Sequence, residues 1–218
     1  MESYKREFIE FLQSAGVLKF GDFTAKSGRK IPYFINAGMI KTGNDIARLG
    51  EFYAKAYFEK LGAKPAVLYG PAYKGISLSV SAAVALSKNG LNVPFFFNRK
   101  EVKDHGEGGT FVGYVPQAGE EIVIIEDVIT AGTAIRESME ILKHLEGTKV
   151  AATFIMVDRK EKGQTEKSAM AEITDQFGFP VYSVVDVYDI IEYLEEDANN
   201  AENVARIKKY LETYGAKA

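Results

Sequence analysis

The segment IVIIEDVITAGTAIRES, residues 122–138, carries an unbroken apolar run into two acids, Glu126 and Asp127. A small-residue turn, Thr130-Ala131-Gly132-Thr133, follows them. An apolar run without polar alternation fits a strand covered on both faces, the usual condition of a parallel sheet. The spacing after the turn predicts a helix, so the segment is a strand, a loop and the start of a crossover. Stability alone gives no reason to close such a strand on paired carboxylates.

The same rhythm extends outward on both sides. PAVLYG (65–70) and VPFFFN (93–98) have the composition of strands, with GISLSVSAAVALSKNG (75–90) as a helix between them. Beyond the segment come a helix over 132–147, the strand KVAATFIMVDR (149–159), a helix over 165–178 and the strand PVYSVVDV (180–187). Alternation of this kind predicts an α/β fold, a central, mostly parallel sheet with helices on both faces and right-handed crossovers. Ahead of it, Tyr4, Phe8, Phe11, Leu12 and Ala15 recur at helical spacing before Gly16, a fitting C-cap. Residues 17–38 give short β-like runs broken by Gly-Asp and Ser-Gly, a small antiparallel excursion. A helix over Asn44–Leu61, capped by Asn44 and stopped by Gly62, leads into the sheet. The C-terminal 190–215 adds one or two helices with a solvated acidic run. The expectation is a single domain, 1–218, in which residues 1 to about 40 form a small cap, or hood.

One segment breaks the pattern. NRKEVKDHGEGGTFVGYVPQAG, residues 98–119, sets Arg99, Lys100, Lys103 and His105 beside Gly106, Gly108 and Gly109. So little apolar surface predicts a mobile loop. Its glycines lack the spacing of a dinucleotide fingerprint, and GPAYKGIS is no Walker loop because Lys74 precedes the second glycine.

Composition narrows the chemistry. The 218 residues are 46% hydrophobic and 26% charged, ordinary for a globular protein. A formal net charge of −3 argues against nucleic acid or an anionic membrane as partner. No cysteine is present, and the histidines are His105 and His144 alone, so the metal to expect is a hard cation on oxygen ligands, such as Mg²⁺. The N-terminus mixes charged and apolar residues as an amphipathic helix does, and no apolar stretch approaches a membrane span. A soluble, cytoplasmic protein is expected.

In an open parallel sheet the ligand lies beyond the carboxyl ends of the strands. Loops 70–75, 98–111, 126–133 and 158–164 meet that description. The third offers backbone N–H groups at a helix N-terminus with the Thr130 and Thr133 hydroxyls beside them, a receptor for a phosphate dianion. Glu126 and Asp127 repel phosphate, yet they can accept hydrogen bonds from vicinal hydroxyls. Phosphate and diol recognition side by side imply a ribose 5-phosphate, and the order of acids and small residues acquires a reason.

The stretch resembles the phosphoribosyl-diphosphate signature of type I phosphoribosyltransferases. With KSGRKIPYFINAG (26–38), YGPAYKG (69–75), NRKEVKDHGEGG (98–109) and VDRKEKG (157–163) in that order, the chain resembles the orotate phosphoribosyltransferase family. The resemblance is strong over about 18–165 and covers the layout of the whole. It implies a type I phosphoribosyltransferase-like fold and transfer of a phosphoribosyl group from phosphoribosyl diphosphate to orotate. It further implies that Lys26, Tyr73, Lys74 and the loop Glu126, Asp127, Val128, Ile129, Thr130, Ala131, Gly132, Thr133 and Ala134 bind phosphoribosyl diphosphate. Arg99, Lys100, Lys103 and His105 are implied to meet its pyrophosphate, and Phe34, Ile35, Thr130 and Arg159 to hold orotate. The catalytic roles fall to Asp127, Lys103, His105, Arg99 and Glu126. Mg²⁺ is implied as cofactor, held mainly by the substrate. Also implied are a homodimer whose basic loop reaches the partner's site, and a cis peptide between Ala72 and Tyr73. Ile35 and Glu126 depart from the commoner Phe and Asp. A purine or other pyrimidine transferase would share the phosphate loop but not PYFINAG and VDRKEKG. A noncatalytic regulator would lack the basic loop.

Overall fold

The computed structural model describes residues 1–25, 28–103 and 109–216, with the backbone alone at 102 and 103. Helix α1 (Ser3–Ser14) leads into a hairpin of β1 (Leu18–Thr24) and β2 (Lys30–Ile35), which pair antiparallel as a sheet of their own. Helix α2 (Gly43–Leu61), strand β3 (Val67–Gly70), helix α3 (Lys74–Lys88), strands β4 (Phe95–Lys103), β5 (Gly109–Gly113) and β6 (Glu121–Ile125), and helix α4 (Thr133–Leu142) follow. Strand β7 (Lys149–Asp158), helix α5 (Ala169–Phe177), strand β8 (Val181–Asp186) and helices α6 (Val187–Glu195) and α7 (Ala201–Tyr214) complete the chain. The main sheet has the order β5-β4-β3-β6-β7-β8, and every pairing in it is parallel except β4 with β5.

Strand β6 is interior to this sheet, and its side chains explain the apolar run. Val123 and Ile125 enter one core with Leu68, Phe154, Phe52 and Leu78, on the side of α2 and α3. Ile122 and Ile124 enter a second core with Tyr69, Ile155, Ile135 and Ile173, on the side of α4 and α5. Successive residues of a strand face opposite ways, so only a strand covered on both faces needs apolar character at every position. Each such buried side chain contributes about 1.5–3 kcal/mol.

Two local expectations change. Thr42, not Asn44, caps α2: its hydroxyl accepts from the Asp45 N–H at 3.2 Å. The segment 98–119 is not one long loop, because β4 continues to Lys103 and β5 returns antiparallel to it. Cross-strand packing supplies the apolar surface that the local sequence lacks, since Phe111 sits edge-on to Phe96 at 5.5 Å. Gly113 permits the approach: its φ is 95° and a Cβ there would meet the Phe95 carbonyl oxygen at 2.5 Å. Lys26 and His105 lie outside the described residues, as does the Lys103 side chain, so the expected mobility of the basic loop at Asp104–Gly108 does too. The C-terminal acidic run is solvated as expected, with Glu192, Glu195, Glu196 and Asp197 exposed, while Ile190, Leu194, Val204 and Ile207 of the same helices are buried.

Candidate active site

The ladder between β6 and β7 runs two residues past the strand: Glu126 N–H donates to Phe154 O at 2.9 Å, and Met156 N–H to Asp127 O at 2.8 Å. These bonds fix the acids at the carboxyl edge of the sheet. The chain then turns through Gly132, whose φ of 75° starts α4. A Cβ at Gly132 would crowd only side-chain ends, Arg136 Nη1 at 2.8 Å and Ile173 Cδ1 at 2.9 Å, so it is the left-handed backbone that favours glycine in the turn. Helix α4 has no side-chain cap, which leaves its first N–H groups without protein acceptors from a cap. A cavity of about 310 Å³ lined by Glu126, Val128, Thr130, Gly132, Thr133 and Ala134 opens there. Its dimensions and donors suit a phosphate group.

A strand that closes on paired acids is expected to leave the Asp127 carboxylate at an exposed end, but both acids are buried. Glu126 is 6% and Asp127 7% exposed. Segments remote in sequence close around them: Tyr53 of α2 donates to Glu126 O at 2.6 Å, and Lys74 at the start of α3 donates to Asp127 Oδ2 at 2.8 Å. Asp127 Oδ1 accepts from Val128 N–H at 2.8 Å, and Glu126 Oε1 from Asp127 N–H at 2.9 Å. Burial, reinforced by the Asp127 charge, pushes the Glu126 carboxyl up to about 8. The Tyr53 hydroxyl is pushed up as well, chiefly by burial.

The Glu126 shift has a consequence for stability. Its folded pKa lies above the ordinary 4.5, so the folded state keeps a proton that the unfolded chain releases. Below pH 4.5 the group has no effect; from there to about pH 8 stability falls as pH rises, and above it the penalty is constant. Glu126→Gln is therefore expected to raise the melting temperature at pH 8 and to change it little at pH 4.5. Melting curves across that range test it; equal shifts at both ends would place the cause elsewhere.

Strand β3 ends in a second loop beside the first. The Ala72–Tyr73 peptide is cis, as the resemblance implies. Asn98, buried on β4, holds the loop: its Oδ1 accepts from Tyr69 OH at 2.8 Å and from Ala72 N–H at 3.0 Å. Tyr73 is 71% exposed, and Lys100 Nζ lies 4.9 Å from its ring centre. The Arg99 guanidinium donates to Gly109 O at 3.3 Å and to Phe111 O at 3.4 Å, closing the base of the hairpin. Lys74 thus reaches Asp127 while its neighbour Tyr73 meets Lys100, and Arg99 is turned to β5.

On the other side a cavity of about 270 Å³ opens between the phosphate loop and the end of β7, lined by Thr130, Ala131, Arg159, Glu161 and Arg29. The Arg159 guanidinium lies over the Tyr33 ring at 5.2 Å. Against the opposing effect of burial, the Tyr33 hydroxyl and the Glu161 carboxylate hold it above its ordinary pKa. Phe34 points away from this cavity, 42% exposed and stacked on Phe23 at 5.4 Å, while Ile35 packs toward the core. Sequence reasoning missed Tyr53, Asn98, Arg29 and Glu161. Arg29 and Glu161 stand inside quoted motifs, so a charged residue repeated near Arg159 was the available signal; Tyr53 and Asn98 had none.

Comparison with known proteins agrees with this geometry. Residues 36–185 match the model of the phosphoribosyl transferase domain. The chain is 51% identical over 216 residues to an orotate phosphoribosyltransferase of Vibrio parahaemolyticus, covering 99% of this chain and 100% of that one. A counterpart from Shigella flexneri is 50% identical with the same coverage. Among solved structures, an orotate phosphoribosyltransferase of Francisella tularensis superposes with a TM-score of 0.85 at 38% identity, covering 96% of this chain and 99% of that one.

Proposed function

The chain belongs to the orotate phosphoribosyltransferase family, and from that premise we propose how its side chains divide the reaction. It transfers the 5-phosphoribosyl group from phosphoribosyl diphosphate to orotate, giving orotidine 5′-phosphate and pyrophosphate in pyrimidine biosynthesis. The bond from ribose C1 to the pyrophosphate oxygen breaks, the oxygen leaves with the electron pair, and the orotate ring nitrogen bonds to C1 as its N–H proton passes to water or to the departing pyrophosphate. Positive charge develops on the sugar and negative charge on the leaving group.

In our reading the N-terminus of α4, with Thr130, Gly132, Thr133 and Ala134, takes the 5-phosphate. Glu126 and Asp127 accept from the ribose hydroxyls, and the Asp127 charge favours the developing cation. Tyr73, Lys74, Arg99, Lys100, Lys103, His105 and Lys26 meet the diphosphate and oppose its growing charge. Thr130, Arg159 and the backbone of Phe34 and Ile35 hold orotate. The observation that carries this division is the Lys74–Asp127 contact at 2.8 Å, because it joins the cationic and acidic loops between which this reading puts C1.

Mg²⁺ fits this site as a companion of the substrate. No group of three or more His, Cys, Asp or Glu suited to a metal occurs among the described residues. An acid pair beside a diphosphate suits a cation that keeps most of its ligands from water and substrate oxygens. Bound there, it neutralises charge on the diphosphate. The functional test is loss of orotate absorbance with phosphoribosyl diphosphate and Mg²⁺, with uracil, adenine and hypoxanthine as controls. Turnover of a control base in place of orotate would overturn the assignment.

The chain is further proposed to be one domain, with residues 1 to about 40 as its cap, acting as a cytoplasmic homodimer. No helix among the described residues is long and apolar enough to cross a membrane. In favour of the dimer, an apolar groove of about 540 Å³ runs between α2 and α3 past Ile46, Ile76, Val80 and Val84, and ends at Tyr73 beside the site. If the basic hairpin of one subunit completes its partner's site, mixing Lys103→Ala with Asp127→Asn subunits creates hybrids with one intact site each. After complete exchange about a quarter of wild-type activity is expected. Proven exchange with no recovery would confine the hairpin to its own subunit.

A further inference from the structure

We propose that Glu161 is a positioning residue for base selection, acting through Arg159, and that it ties the base pocket to the cap and to the C-terminal helix. The inference rests on the reading that Arg159 contacts orotate. Glu161 uses its two oxygens on two different cations: Oε1 lies 2.6 Å from Arg159 Nη2, and Oε2 lies 2.8 Å from Arg29 Nη2. The Tyr33 hydroxyl reaches Oε1 at 3.4 Å, so the carboxylate also fixes the ring on which the Arg159 guanidinium rests. One side chain thereby sets both the height and the rotation of the arginine.

Glu161 is itself held from behind. Its backbone bridges antiparallel to Gly215 after α7, flanked by Lys162 N–H to Tyr214 O at 2.9 Å and Ala216 N–H to Lys160 O at 2.8 Å. The Arg29 guanidinium rests against the ring of Tyr214 at 4.9 Å and that of Tyr210 at 5.7 Å. Cap hairpin, base loop and C-terminal helix therefore meet at this carboxylate. A mobile arginine loses rotamer freedom whenever it binds, and here that freedom is already spent before the base arrives.

Two features mark the cluster as prepared for an anionic, hydrogen-bond-accepting ligand. The Nε atoms of Arg29 and Arg159 are buried donors with no hydrogen-bond partner, a condition native proteins seldom keep without reason. Charge points the same way. Of the charged side chains lining the cavity, Arg29, Arg159 and Lys162 outnumber Asp158 and Glu161 by one, the complement of a base bearing one carboxylate. With no acid between them the two guanidinium groups would repel.

The test is a double-mutant cycle in the full-length enzyme, using Glu161→Gln, Arg159→Ala and the double variant, each checked by thermal melting. Glu161→Gln is expected to raise the orotate KM by about 10-fold while the phosphoribosyl diphosphate KM stays within about twofold. The double variant should be no worse for orotate than Arg159→Ala, because the two act as one unit. Glu161→Asp, which keeps the charge but is too short to span both arginines, should show the same orotate-selective loss and serves if the Gln variant fails to fold. Multiplying losses in the double variant, or equal rises in both KM values, would overturn the proposal while leaving Arg159 in the site. An orotate KM untouched by Arg159→Ala would instead remove Arg159 from base binding, and this inference with it.

Discussion

Asp127→Asn is expected to lower turnover by about 10²–10³-fold, the usual cost of losing one preorganised electrostatic group at a reacting centre. The carboxylate is buried and held from two sides, by Lys74 on Oδ2 and by Val128 N–H on Oδ1. Negative charge fixed in a poorly solvated position acts more strongly on a developing cation than the same charge in water. An amide keeps the shape and can still accept from Val128 N–H, but it removes the charge. Stability should change by only about 1 kcal/mol or less, because the Lys74 side chain is 61% exposed and recovers water when its partner is neutralised. Steady-state turnover and thermal melting on the same preparation separate these effects. A folded variant with undiminished turnover would remove Asp127 from the chemistry.

Arg159→Ala should weaken orotate by roughly 10- to 150-fold, the equivalent of one charge-assisted hydrogen bond of about 1.5–3 kcal/mol. Orotate differs from uracil by a carboxylate, so a selective site needs a cation or oriented donors where that group lands. Arg159 is 15% exposed, stacked on Tyr33 and faces the same cavity as Thr130. Truncation does not strand Glu161, which keeps its contact with Arg29. Phosphoribosyl diphosphate binding should change little, since its contacts come from the loops after β3 and β6. Titrating both ligands against wild type and variant decides the matter; equal weakening of both would indicate a general structural role.

Much of this site is legible in the chain because its parts are local. The phosphate loop needs consecutive small residues before a helix, and residues 130–134 supply them in one run. The uniform hydrophobicity of β6 and β7 follows from burial on both faces, so the parallel sheet and its carboxyl edge can be inferred from periodicity alone. Periodicity puts Arg159 just past the end of β7, but only the family resemblance assigns it to the base.

Other features depend on residues far apart in sequence. Asn98 reads as one more polar residue at the head of a glycine-rich basic stretch, and its role exists only because β3 and β4 pair side by side. Likewise the hairpin of β4 and β5 takes its stability from Phe96 and Phe111 meeting across strands, a contact no window of local composition contains. The burial of Glu126 and Asp127 is the clearest case. The order strand, acid, acid, turn specifies where the carboxylates emerge, whereas their solvation depends on Tyr53 and Lys74, 73 and 53 residues away. Local sequence determines backbone direction and residue chemistry, because propensity and alternation act over a few residues. Tertiary packing alone decides which charges lose their water, because desolvation depends on every atom that closes around a group, whatever its place in the chain.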